Sequence, residues 1–426
     1  MTAKPSASTP FFGWSVVAGA FVVAVFGWGL GFYGPPVYLY AVHEARGWSV
    51  ALVSAAVTSH YLCGVLVVAN MPRLYKRFGL QRVTRAGVLL LAVGLMGWAL
   101  ATAPWQLFLA TALTGCGWVT MGAAAINAMV TPWFVRLRPK ALSTAYNGAS
   151  IGGVVFSPLW GLLISQFGFA TAAGVIGFVS IIVIWWLTAR ILTRTPADLG
   201  QLPDGDDFGA PLSASTNTMA SLPGSLLWRD RSFLTLAAGM ALGLFAQIGL
   251  LAHLFSLIVP ALGASWAGLV AGLATASAIV GRTAFGWLMP AGADRRVAAA
   301  LSYVLQIGGI VVLLAAGLAN PALIILGVLL FGFGIGNATS LPPLIAQAEF
   351  AKEDTGRVVA LIVAMGQGAY AFAPAIFGLL RSFSDHGAHE LGSQATTVFL
   401  AAVVVKVAAI AAFLLGRRSK ALASAT

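Results

Sequence analysis

Charge is what this chain of 426 residues has least of. Only 8% of it is Asp, Glu, Lys or Arg, against about 25% in soluble domains. With 59% hydrophobic residues and a mean hydropathy of +0.91, that shortage excludes an ordinary soluble fold and sets the membrane class before any motif is read. Acid is scarcer still: there are 12 acidic residues, and none falls inside an apolar run. Cysteine is nearly missing too. Cys63 and Cys116 both lie within apolar runs, so no disulfide framework is implied. No set of three ligands stands at helical spacing around either membrane-depth histidine, His60 or His253. A metal site is therefore not expected, and no cofactor is implied. Clustered nucleophiles, acids or metal ligands at membrane depth are absent, which argues against a membrane enzyme. A cleavable signal is not expected, because the first apolar run is too long for a signal core.

What is present is length without charge. A bilayer crossing needs about 20 apolar residues. The sequence predicts crossings at 12–40, 48–70, 83–104, 106–134, 141–165, 168–193, 232–260, 264–289, 297–318, 320–347, 357–381 and 394–416. The expected fold is an all-α membrane protein of twelve transmembrane helices in two pseudo-symmetric six-helix bundles. Residues 1–194 form the first bundle, 195–228 a linker and 229–426 the second. The linker is rich in Ser, Pro, Gly, Thr and Asp, a composition that cannot build a core. The halves echo each other: Arg82-Val83 and Arg296-Val297 each open a span, and Pro158 and Pro374 are each soon followed by Gly-Leu-Leu. Near-constant offsets at distant places indicate a duplicated six-helix unit.

The net charge of +12 could suggest nucleic acid, but its distribution argues otherwise. In the twelve-span arrangement Lys4, Arg73, Lys76, Arg77, Arg82, Arg85, Arg136, Arg138, Lys140, Arg190, Arg194, Arg229, Arg231, Arg295, Arg296, Lys352, Arg357, Arg417, Arg418 and Lys420 share one side. Only Arg46 and Arg381 fall on the other. This bias predicts that both termini are cytoplasmic, in a bacterial inner membrane. The basic loops then serve topology and anionic headgroups; the bilayer is the expected partner and nucleic acid is not. Glycines crowd spans one, five and eleven, with Pro35-Pro36, Pro158 and Pro374. Such helices can pack closely and bend.

Two cations lie well inside runs, away from their ends: Arg282 and Lys406. A lone cation at membrane depth is costly and marks a functional site by default. Arg282 offers a planar fork suited to carboxylate. Lys406, in the last span, fits a structural or neutral-lysine role, with a place on the anion path as the alternative. His60 and His253 can titrate near neutrality and are, with Lys406, the candidates for proton coupling. Tyr33, Asn127, Asn337, Gln367 and Tyr370 could hydrogen-bond a small ligand or tie helices together.

Twelve spans in two halves, a long central loop and a basic loop between spans two and three resemble the major facilitator superfamily. Gly13-Trp14, Gly31-Phe32-Tyr33-Gly34-Pro35, Trp133-Phe134 and Gly281-Arg282-Thr283-Ala284-Phe285-Gly286-Trp287-Leu288 resemble its monocarboxylate transporter and oxalate/formate antiporter branch. That resemblance implies alternating access, and an arginine at Arg282 that binds a substrate carboxylate. The chain also departs from the pattern. No acid precedes Lys76-Arg77-Phe78-Gly79, Ala278 stands where animal relatives carry Asp, and span eleven lacks an internal cation before Arg381. The expectation is a secondary transporter of small organic anions, most plausibly monocarboxylates, working as a monomer with proton coupling. Anion exchange, efflux of a neutral or anionic hydrophobic compound, and a receptor on the same fold are the alternatives.

Overall fold

In lipid, every backbone N–H and C=O must be bonded within its own element, and runs without a polar face satisfy this as helices. The computed structural model describes residues 10–205, 224–290, 293–317, 319–384 and 391–417. Among the described residues it is helical with no strands. Eleven stretches of the described residues are long and apolar enough to cross a membrane. One of them, Lys140–Arg190, is 51 residues long and contains a non-helical residue, Gly168, at φ 77 and ψ 162. Residues before Gly168 pack on Gly268 and Gly272, whereas Gly174 and Gly177 pack on Met96 and Ala92. The stretch is thus two spans, giving twelve.

In chain order, span one is Gly13–Arg46, two Val50–Phe78, three Leu80–Leu100 and four Pro104–Trp133. Span five is 138–167 and span six 169–190. Span seven is Arg231–Leu262, eight Ala264–Leu288, nine Arg295–Ala316, ten Pro321–Glu349, eleven Glu353–Phe383 and twelve Gln394–Leu415. Local chemistry sets the ends. Ser49 and Asp230 accept from the N–H groups of Leu52 and Phe233 at 3.3 and 2.8 Å, and Asn320 accepts from Ala322 and Leu323 at 3.1 and 3.2 Å. Each satisfies first-turn donors that the helix itself leaves unpaired.

Four spans are interrupted part-way. Span one divides into Gly13–Gly31 and Pro35–Arg46, and span four into Pro104–Trp118 and Ala123–Val130. Span ten divides into Pro321–Ile335 and Asn337–Glu349, and span eleven into Lys352–Ala371 and Ala373–Ser384. Broken helices expose backbone polar groups, tolerated at membrane depth only where protein or a water-filled cavity meets them.

Two expectations are corrected. Span one runs to Arg46, stopped by Gly47 at φ 65, so Glu44 lies within the helix. Arg296, read as a loop cation, is buried at 1% exposure. Its guanidinium donates to Glu349 at 2.7 and 2.8 Å and to the Ser232 carbonyl at 2.7 Å. A partner at the far end of span ten lets a cation be buried there. The first part of the linker meets the first bundle. Gln201 accepts from the Phe12 N–H at 3.0 Å. The Asp204 carboxylate accepts from the N–H groups of Val135, Arg136 and Leu137 at 2.7 to 3.2 Å. Residues 206–223, with Asp206 and Asp207, lie outside the described residues.

Candidate functional site

The two sets of six spans meet along three pairs of helices. Spans five and eight touch where Gly161 faces Ala264, Pro158 faces Gly268 and Gly272, and Gly153 faces Thr275. Ser165 and Ser265 share a hydrogen bond of 3.0 Å near the same end. Spans two and eleven touch where Gly378 faces Ser54 and where the Ala375 N–H donates to Thr58 at 3.1 Å. Spans one and seven meet at Tyr40 and Phe255, 5.5 Å between ring centroids. These contacts run from mid-span, at Gly153 and Thr275, to the rim opposite the termini. Toward the termini the halves diverge: Gly286 in span eight, and Gly356 and Gly368 in span eleven, have open space where a Cβ would stand. Trp287, at the end of span eight, is 86% exposed.

The cleft at the apex of this divergence is lined by Phe32, Tyr33, Pro36, Val37, Tyr61, Ser157, Ile248, Leu251, Ala252, Leu254, Phe255, Ala271, Ala274, Thr275 and Ile335. These come from spans one, two, five, seven, eight and ten. Apolar and aromatic groups dominate, with few polar ones. Behind the lining sits an aromatic cluster. Trp118 is within 6.4 Å, centroid to centroid, of Trp28, Phe32, His60 and Tyr61. Tyr61 meets Tyr370 edge to face at 5.5 Å across the two halves.

Arg282 lies two turns beyond Thr275 on span eight, about 10 Å toward the termini. Tyr33 is in its electrostatic field and within hydrogen-bonding reach of Thr275. Gly336, at the break in span ten, makes room for the guanidinium: a Cβ there would stand 3.1 Å from Arg282 Nε and 2.6 Å from the Ala278 carbonyl. The Arg282 Nε is buried without a hydrogen-bond partner, as is the Asn337 amide nitrogen one residue past the break. Among the described residues, the acids form ion pairs with Arg296, Arg357 and Arg417, not with Arg282. Two buried, unpaired donors beside the start of the helix Asn337–Glu349 make a place where negative charge is favoured.

The other candidates are placed differently. Asn127 is exposed in span four and donates to Tyr146 at 2.5 Å and to the Ala123 carbonyl at 3.0 Å. Tyr370 borders the cleft through Tyr61, and Gln367 lies one turn before it. His60 is buried at 1% exposure, between the Gly31 carbonyl and the Thr114 hydroxyl, both at 2.9 Å. His253 Nε2 faces the Pro374 carbonyl at 3.1 Å, on the rim opposite the termini, and its Nδ1 is buried without a partner. Lys406 is fully buried inside the second set of spans. It donates to Gln306 at 2.6 Å and lies over the rings of Tyr303 and Phe331 at 5.1 and 5.5 Å. It does not line the cleft.

Sequence reasoning missed Tyr146, Thr275 and Gly336. For Tyr146 a signal existed, since Tyr146, Ser150, Gly153 and Ser157 recur on one helical face of span five.

Comparisons with known proteins agree with this architecture. The family model described as Major Facilitator Superfamily matches residues 16–374. The chain is 25% identical over 385 residues to the MFS transporter asaE of Aspergillus flavus, covering 88% of this chain and 82% of that protein. It is 25% identical over 314 residues to the aspyridones efflux protein apdF of Emericella nidulans, covering 72% and 64%. A shorter match, 36% over 155 residues, covers 34% of this chain and 28% of the probable anion transporter 4, chloroplastic, of Arabidopsis thaliana. Among solved structures, the nucleoside transporter NupG aligns with a TM-score of 0.74 at 12% identity, covering 95% of this chain and 100% of that one. An inward-facing, occupied bacterial homologue of the human lysosomal transporter Spinster aligns with a TM-score of 0.71 at 14% identity, covering 97% and 100%. At such identities these structures speak to the fold alone.

Proposed function

We propose that this chain, a transporter that belongs to the Major Facilitator Superfamily, carries small organic anions, with monocarboxylates as the leading class. The observation that supports this reading is Arg282, with its buried, unpartnered Nε beside the cleft. A carboxylate entering the cleft replaces lost hydration with a charge-assisted pair. The aromatic and aliphatic lining receives the organic remainder. Rocking of residues 1–194 against 229–426 exposes Arg282 to the two sides in turn. The basic bias of the loops supports both termini on the cytoplasmic side, with a bacterial inner membrane as the proposed location and the halves diverging toward the cytoplasm. Reconstituted counterflow with Arg282→Lys is the test. It keeps the charge and loses the fork, so exchange of carboxylates falls at least tenfold, the order of one lost charge-assisted bond. Unchanged affinity and turnover would remove Arg282 from the site.

A second reading is outward movement of a hydrophobic compound. The apolar lining and the similarity to an efflux protein favour it. Proton coupling, if part of the cycle, rests on His60, His253 or Lys406. Gradient-driven uptake in His60→Gln, His253→Gln and Lys406→Met proteins tests it, and accumulation unaffected in all three points to anion exchange.

A further inference from the structure

Spans five and eight pack against each other antiparallel in a fixed register, with Gly161 at Ala264 and Gly153 at Thr275. Continuing that register two turns toward the termini brings Tyr146 opposite Arg282. Asn127, carried by span four, is hydrogen-bonded to this tyrosine.

The orientation of the Asn127 amide follows from its partners. The Ala123 carbonyl can only accept, so the atom 3.0 Å from it is the nitrogen. One amide hydrogen goes to that carbonyl and the other to the Tyr146 oxygen. Tyr146 spends its own proton on Ala123, at 3.0 Å. Both amide hydrogens and the phenol hydrogen are therefore used. What Asn127 has left is its Oδ1, a pure acceptor on an exposed residue. Arg282 offers only donors. On the terminal side of the cleft lining, the first half thus offers a free acceptor at Asn127 and the second half donors at Arg282.

We infer that the first half supplies a second recognition point for the same cargo. Asn127 Oδ1, held in place by Tyr146, accepts a hydrogen bond from a hydroxyl or N–H group on an anion whose carboxylate is at Arg282. This narrows the substrate class to carboxylates that carry a hydrogen-bond donor away from the carboxyl group. It rests on the carboxylate reading of Arg282.

The test is isothermal titration of the detergent-purified full chain with ω-hydroxyalkanoates of increasing length and with their ω-methoxy counterparts. At one chain length the hydroxy acid binds roughly three- to tenfold more tightly than its methyl ether, the worth of one net hydrogen bond. Asn127→Ala removes that preference and keeps the methyl ether's affinity, which also shows that the site is folded. Tyr146→Phe, which removes one of the two hydrogen bonds that hold Asn127, reduces the preference. Absence of a hydroxyl preference at every length, or a preference that persists unchanged in Asn127→Ala, overturns the inference. Arg282→Gln weakens hydroxy and methoxy acids by the same factor. If it weakens neither, the carboxylate reading fails, and the ratio in Asn127→Ala still decides the acceptor.

Discussion

Gly168 isolates backbone conformation from packing. It joins spans five and six at φ 77 and ψ 162, a region essentially confined to glycine. Nothing lies within 4 Å of the position a Cβ would take. Gly168→Ala therefore meets no steric neighbour, and its whole cost is that of holding an L-residue in this conformation, about 1–3 kcal/mol. Gly263, at φ 76 and ψ 159 between spans seven and eight, has the same geometry and the same open surroundings. Gly308 supplies the control. It also has open space around its missing Cβ but sits inside the helix of span nine, where alanine gains up to about 1 kcal/mol. Equilibrium unfolding in mixed micelles should then show opposite signs: Gly168→Ala and Gly263→Ala lose stability, and Gly308→Ala gains or is neutral. If Gly168→Ala behaves like Gly308→Ala, the two-span division of residues 138–190 at a glycine-specific reversal is wrong.

Other perturbations follow from the buried polar groups. Lys406→Met strands the Gln306 carbonyl oxygen and costs about 1–3 kcal/mol; adding Gln306→Leu recovers most of it, since both partners of the pair are then apolar. Thermal unfolding of the two variants checks this, and no recovery would mean that Lys406 has another partner. Arg296→Met leaves Glu349 without its bidentate partner and should destabilise by about 3–5 kcal/mol, read in the same unfolding assay. Asp294 caps span nine. Burial raises its pKa, but the Arg417 side chain and the Arg296 and Val297 N–H groups outweigh that and hold the carboxyl below its usual value. Its contribution is present above an unfolded pKa of about 4 and is lost as pH falls through the lower folded value. Asp294→Asn should flatten that part of the stability–pH profile, and an unchanged profile would remove the cap from the account.

The twelve crossings were legible because hydrophobic length is a one-dimensional signal. The reversal at Gly168 was inferred from run length, though its special backbone angles leave no mark beyond one glycine among many. The break in span one announces itself as Gly34-Pro35-Pro36. The break at Gly336 does not, since Gly332, Gly334 and Gly336 recur with nothing to distinguish the one that accommodates Arg282. The depth of Arg282 and Lys406 could be read, but not that one borders the cleft and the other sits among spans nine, ten and twelve. That difference is set by how helices are turned about their axes. Arg296 with Glu349, Tyr146 with Asn127 and Asp204 with the N–H groups of 135–137 are pairings between separate segments. Periodicity within a segment carries no trace of them.

The central claim is that the cleft is an anion site built on an uncompensated Arg282, and matched ligands that differ only in charge test it most directly. Isothermal titration of the purified chain with a carboxylate and with its isosteric neutral amide compares a bidentate charge-assisted pair with none. The carboxylate should bind more tightly by about 1.5–3 kcal/mol, roughly 10- to 150-fold, the worth of a hydrogen-bonded charge. Arg282→Gln should erase most of that difference. Equal affinity for acid and amide in the unaltered protein would contradict the anion site and leave hydrophobic efflux as the better reading.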